Sequence, residues 1–189
     1  MKNHIVFFGI ILVCTHGLYG MDDAKALSNQ MMLSSREAFG NNWMFKNSIN
    51  TQGLNRWDNA FYQGINYIQN YEKKANKKTR KVLDNYVSQL VNAHNELING
   101  VRITYNSMFT EAARKSLSTN ALRFSKQQQL RPMFDKISND MLNLILQVYY
   151  PSRKSKSQKE TAIYYIIDQF AQHIRNAAKM AAKSIDFLQ

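Results

Sequence analysis

The densest chemical signal in the chain is a run of cations. Lys73-Lys74-Ala75-Asn76-Lys77-Lys78-Thr79-Arg80-Lys81 holds six positive charges with no acid between them. A patch of this kind attracts anions over a long range. If the run is helical, spacings of three and four set Lys73, Lys77 and Arg80 along one side, with Lys74, Lys78 and Lys81 beside them. A second run, Arg153-Lys154-Ser155-Lys156-Ser157-Gln158-Lys159, reads as a basic, serine-rich loop. Two other readings compete: solvated surface without a partner, and dibasic sites for processing proteases.

Other chemistries find less support. Beyond residue 20 the chain has two histidines, His94 and His173, and no cysteine. A zinc site with three nitrogen or sulfur ligands cannot be built from that set in one chain. His94-Asn95-Glu96 has the His-x-Glu spacing of zinc deaminases but lacks their paired cysteines, and residues two apart on a helix point ~200° apart. His94 falls within an apolar period and reads as a core histidine; His173, beside Ile174, reads as the edge of a buried face. The 13 carboxylates are scattered, mostly beside lysines and arginines. The chain contains no glycine-rich phosphate loop, no Gly-x-Ser-x-Gly elbow and no Asp-x-Asp-x-Asp-Gly calcium loop. The expectation is a non-enzymatic protein without cofactor or metal.

The amino terminus gives an address. Lys2 precedes the apolar run Ile5-Val6-Phe7-Phe8-Gly9-Ile10-Ile11-Leu12-Val13, and Thr15-His16-Gly17-Leu18-Tyr19-Gly20 follows with small residues at the expected cut, Gly20 or Gly17. This is the three-part pattern of a secretory signal peptide over residues 1–20, and the apolar run is shorter than the ~20 residues a membrane-spanning helix needs. Cys14, the single cysteine, lies inside that leader. Cleavage removes only Lys2 from 25 Lys+Arg against 13 Asp+Glu, leaving a net charge of +11 on residues 21–189. Such an excess favours nucleic acid, sulfated glycan or anionic lipid without choosing among them, and export makes nucleic acid the least expected.

The elements that must hold these groups are helices. Two prolines and seven glycines punctuate 189 residues, too few for the turn every ~8–12 residues of a strand-rich fold. Asp22 and Asp23 suit a helix start, and Gly40 a stop. Residues 41–55 read as a loop whose Trp43 and Phe45 tuck onto the core. Trp57, Phe61, Ile65, Ile68 and Tyr71 then recur at helical spacing, as do Leu83, Tyr86, Leu90, His94 and Leu97. The basic run between them leaves residues 57–99 open to one helix or two. Gly100 reads as a stop, with Val101 to Leu117 a further helix. Pro132 reads as the first turn of another, and Pro151 as its end. Last comes the longest stripe: Ile163, Ile166, Phe170, Ile174, Ala177, Ala181, Ile185 and Leu188.

The sequence therefore predicts an all-α fold, an antiparallel helical bundle of about five helices in a single domain over residues 21–189. The expected partner is an extracellular polyanion or acidic protein, met through Lys73, Lys74, Lys77, Lys78, Arg80, Lys81, Arg153, Lys154 and Lys156. The alternative is a carrier holding a lipid-like ligand among Trp57, Phe61, Ile65, Ile68, Met108, Phe109, Met141 and Phe170. Arg175, Lys179 and Lys183 opposite the last apolar stripe also fit a helix lying on a membrane surface.

Overall fold

The computed structural model describes residues 20–39, 51–108, 120–154 and 157–186. The leader up to residue 19, Trp43, Phe45, Phe109, Leu117, Lys156 and Leu188 lie outside the described residues. The rest form α1 (Met21–Phe39), α2 (Thr51–Glu72), α3 (Lys77–Met108), α4 (Asn120–Lys154) and α5 (Gln158–Asp186). No strand occurs among the described residues, and none of these helices is long and apolar enough to cross a membrane.

Consecutive helices run in opposite directions. At one end of the α1–α2 pair the Tyr67 hydroxyl donates to the Gly20 carbonyl at 3.1 Å, and at the other Arg56 pairs with Glu37 at 2.7 Å. For α3 and α4 the register is set by Tyr86 donating to the Gln147 carbonyl and Lys136 pairing with Glu96 at 3.2 Å. Among the described residues α1 packs on α2, α2 on α3 and α3 on α4, and α5 packs against all four. The bundle is thus a fan of four helices wrapped around the last one.

α5 occupies the centre because its apolar residues cover more than one stripe. Ile163, Ile166, Ile167, Phe170, Ala171, Ile174, Ala177, Ala178 and Ala181 have no exposed surface. The stripe that a membrane-surface helix would present is therefore enclosed by the other helices. The alanines bring neighbouring backbones close, and Gly64 of α2 does so further: a Cβ at Gly64 would overlap the Cζ and Cε2 edge of the Phe170 ring.

Several boundaries differ from the sequence reading, each for a tertiary reason. Residues 51–55 are helical, because Leu54 continues the buried face of Trp57 and Phe61. Residues 57–99 form two helices, broken at Lys73–Asn76. Gly100 does not stop α3: a Cβ there would overlap Met133 Cε and come within 2.9 Å of Phe134 Cε1, so glycine lets α4 approach. Pro132 does not begin a helix but lies inside α4 on its exposed face. The carbonyl it leaves unpaired, four residues back at the exposed Gln128, is open to water.

Pro151 does not end α4 either. Its missing N–H leaves the Gln147 carbonyl without its helical donor, and the Tyr86 hydroxyl reaches across from α3 to that oxygen at 3.4 Å. The helix continues to Lys154, so Arg153 and Lys154 belong to a helix rather than a loop.

Two outcomes are expected. Burying Ile166, Phe170 and Ile174 contributes ~1.5–3 kcal/mol each against a total stability of ~5–15 kcal/mol, so deleting residues 160–189 should abolish the cooperative helical melt followed by circular dichroism. Tyr86→Phe should cost about 1 kcal/mol in chemical denaturation, and less in a Pro151→Ala background, where the helix regains its own donor.

Candidate anion-binding end of the bundle

The connection between α2 and α3 is a tight turn built by two polar side chains. Lys74 N–H donates to the Tyr71 carbonyl and Ala75 N–H to that of Glu72, both at 3.0 Å, which closes α2. Asn76 then caps α3, its Oδ1 accepting from Thr79 N–H at 2.9 Å. Arg80 folds back over the turn: its Nη2 donates to the Lys73 carbonyl at 3.0 Å and to that of Ala75 at 3.4 Å, and its Nε to that of Glu72 at 3.4 Å. The guanidinium thereby satisfies carbonyls left over at the end of α2. Arg80, grouped by the sequence with five lysines, is the clamp of the turn that displays them.

The lysines themselves are exposed. Lys73 and Lys74 follow the C-terminus of α2, where the helix dipole favours cations. Lys77 and Lys78 occupy the first turn of α3, with Lys81 one turn on, and no acid shares that turn. Cations there oppose the dipole by ~0.3–1 kcal/mol each. Together they create a strongly positive surface above a helix N-terminus.

The second basic run comes to the same end. With Tyr86 at Gln147, Glu96 at Lys136 and Gly100 at Met133, the antiparallel register sets Arg153 of α4 level with Arg80 of α3. The connection to α5 is short, and Ser157 begins that helix by accepting at its carbonyl from Thr161 N–H at 2.9 Å. Lys159 is exposed in the first turn of α5.

Of the acids at this end, Glu72 and Glu160 are half-buried, while Asp22, Asp23 and Asp84 are exposed. Burial, then the neighbouring Asp84, raises the Glu72 carboxyl, while Arg80 and Lys73 draw it down. Burial and Glu160 raise the Tyr71 hydroxyl. Tyr164, which donates to Glu160 at 3.3 Å, is pushed up to about 12, by burial first and then by that carboxylate. Asp22 and Asp23 stand in the first turn of α1, where acids are favoured.

Elsewhere the polar groups serve packing. His94 has no exposed side-chain surface; its ring stacks on Phe61 at 3.8 Å between centroids and contacts Trp57 at 4.7 Å. Burial lowers its pKa more than Asp58 raises it, so the neutral ring donates Nε2–H to Asp58 at 2.8 Å. Nδ1 of His94 and Nε1 of Trp57 have no partner among the described residues. Asp58 is the element the sequence did not reveal, because it lies 36 residues from His94 and on another helix. His173 is half-buried, 3.4 Å from Ser28 Oγ, and its pKa is also lowered by burial. Asp168 accepts from Gln172 at 2.7 Å and Gln169 at 3.1 Å, with its carboxyl raised by burial. An open groove of about 590 Å³ runs between α1 and α2, lined by Gln30, Leu33, Arg56, Tyr62 and Gln63 among others. Among the described residues no three His, Cys, Asp or Glu side chains gather so as to hold a metal ion.

Comparison with known proteins gives no relative: no family model, no curated protein and no solved structure matches the chain.

The two histidines make stability depend on pH. Both folded pKa values lie below the ordinary 6.5, so the unfolded chain binds protons that the folded one resists. Their contribution is complete above pH 6.5 and declines as the pH falls through that value. Denaturant midpoints should therefore drop between pH 7.5 and 5, and the drop should be smaller in His94→Gln.

Proposed function

We propose that this chain is an exported, non-enzymatic helical binding protein whose basic end holds an extracellular anionic partner, a sulfated glycan or an acidic protein surface. The observation that carries this reading is the meeting of both basic runs at one end of the bundle. A net charge of +12 for the full chain would act at a distance whatever its layout, whereas a concentrated patch also holds what it attracts. The first turn of α3 adds support. Lysines at Lys77 and Lys78 are the wrong sign for helix stability, and a bound anion reverses that penalty.

The carrier reading has less behind it. It needs space between the core side chains, but Trp57, Phe61, Ile68, Met141 and Phe170 are fully buried, and Phe170 fills the position a Gly64 side chain would take.

The protein should be retained on a sulfated-glycan column at ~0.15 M salt, where the Debye length is ~8 Å, and elute as salt rises. Lys77→Ala, Lys78→Ala and Lys81→Ala together should move elution to lower salt while leaving the melting temperature equal or higher. Arg80 is kept, because its loss would loosen the turn. Flow-through of the parent protein at ~0.15 M salt would count decisively against the reading.

A further inference from the structure

The last turns of α4 carry an apolar strip beside the basic end. Six large hydrophobic residues of the described chain are exposed, and three of them, Leu146 (59%), Tyr149 (46%) and Tyr150 (69%), fall within five consecutive residues. Of the others, Leu33 and Tyr62 line the groove between α1 and α2, and Ile103 stands on α3. Single exposed apolar residues are ordinary, but a cluster calls for a partner. Leu146, Tyr149 and Tyr150 stand at i, i+3 and i+4 and so share one face of the helix, the two tyrosine rings meeting edge to face at 5.6 Å. Arg153 follows at i+7 in the same register. In the antiparallel pair with α3, this strip lies level with residues 83–87, one to two turns from Lys81, Lys78 and Lys77.

We infer that the basic end also docks on an anionic lipid surface: the lysines neutralise anionic headgroups while Leu146, Tyr149 and Tyr150 enter the headgroup layer. This rests on the reading of the basic end as the binding surface and says what else that surface meets. A sulfated glycan is held by cations alone and gives an exposed leucine nothing to bury against. A bilayer interface takes both kinds of group at once. Tyrosine places an apolar ring in the headgroup region with its hydroxyl toward water, leucine reaches the acyl boundary, and each nearby Lys or Arg adds roughly fivefold to affinity for anionic lipid.

Co-sedimentation with phosphatidylcholine vesicles, with and without phosphatidylserine, tests this at ~0.15 M salt. The full-length protein should bind only the phosphatidylserine-containing vesicles. Leu146→Ser with Tyr150→Ser, both at exposed positions, should weaken that binding at least about tenfold and leave salt-dependent retention on the glycan column intact. Lys77→Ala, Lys78→Ala and Lys81→Ala should weaken both. Retention on the column without vesicle binding overturns the lipid assignment and leaves the anionic reading standing; failure in both assays removes both. Equal binding to phosphatidylcholine alone, or unchanged vesicle binding by the Leu146/Tyr150 variant, also overturns the inference.

Discussion

The α2 side of the bundle closes on α5 through the contact of Phe170 with Gly64. A protein without disulfides must bury enough apolar surface to compensate its chain entropy, and this one does so by surrounding α5 with the other four helices. The Phe170 ring occupies the space of a missing Gly64 side chain and lies 5.9 Å from Phe61, whose other face stacks on His94. One ring of α5 thereby ties α2 and, through His94, α3 to the centre. Small residues continue the pattern along α5, where Ala177, Ala178 and Ala181 are fully buried. The same logic explains why the fan closes in chain order: each helix needs contact with its predecessor and with α5, and no other pairing is required.

Charge is distributed unevenly over this frame. Away from the α2–α3 turn, three cations face acids: Arg56 with Glu37, Lys136 with Glu96 and Asp140, Arg131 with Asp135. Such exposed pairs add little stability, but they cancel field locally. At the turn end five exposed lysines stand close together, with Glu72 and Glu160 half-buried and Asp84 exposed beside them. The turn end therefore carries a concentrated positive surface.

The helical character and the buried faces were legible from spacing alone, because Trp57, Phe61, Leu90, His94, Phe170 and Ile174 recur at the period a one-sided helix demands. The boundaries were less so. Gly100 and the two prolines carry strong local signals for helix ends, yet the helices run through all three; Met133 and Phe134 pack on Gly100 and Tyr86 meets the carbonyl behind Pro151, neighbours that no local window contains. Asn76, three residues before Thr79, did carry a readable capping signal within the basic run, masked by the surrounding lysines. Composition marked the cations of the candidate site. It could not mark Arg80 as a clamp, since that role depends on three carbonyls fixed by the turn itself.

Tyr86 connects the core to the basic end. It grows from α3, close to the basic run at that helix's start, and its hydroxyl supplies the Gln147 carbonyl with the donor that Pro151 removes. The bond gives that carbonyl a partner and ties the last turns of α4 to α3. Tyr149, Tyr150 and Arg153 hold their positions relative to α3 only while this turn stays helical. A tyrosine whose ring is buried and whose hydroxyl pKa is raised by that burial remains a neutral donor across the physiological range, so the bond does not titrate. The proline in turn leaves that carbonyl to the neighbouring helix, and an ordinary residue at position 151 would compete for it. The pair thus fixes the second basic run against the first by a contact that neither helix could make alone.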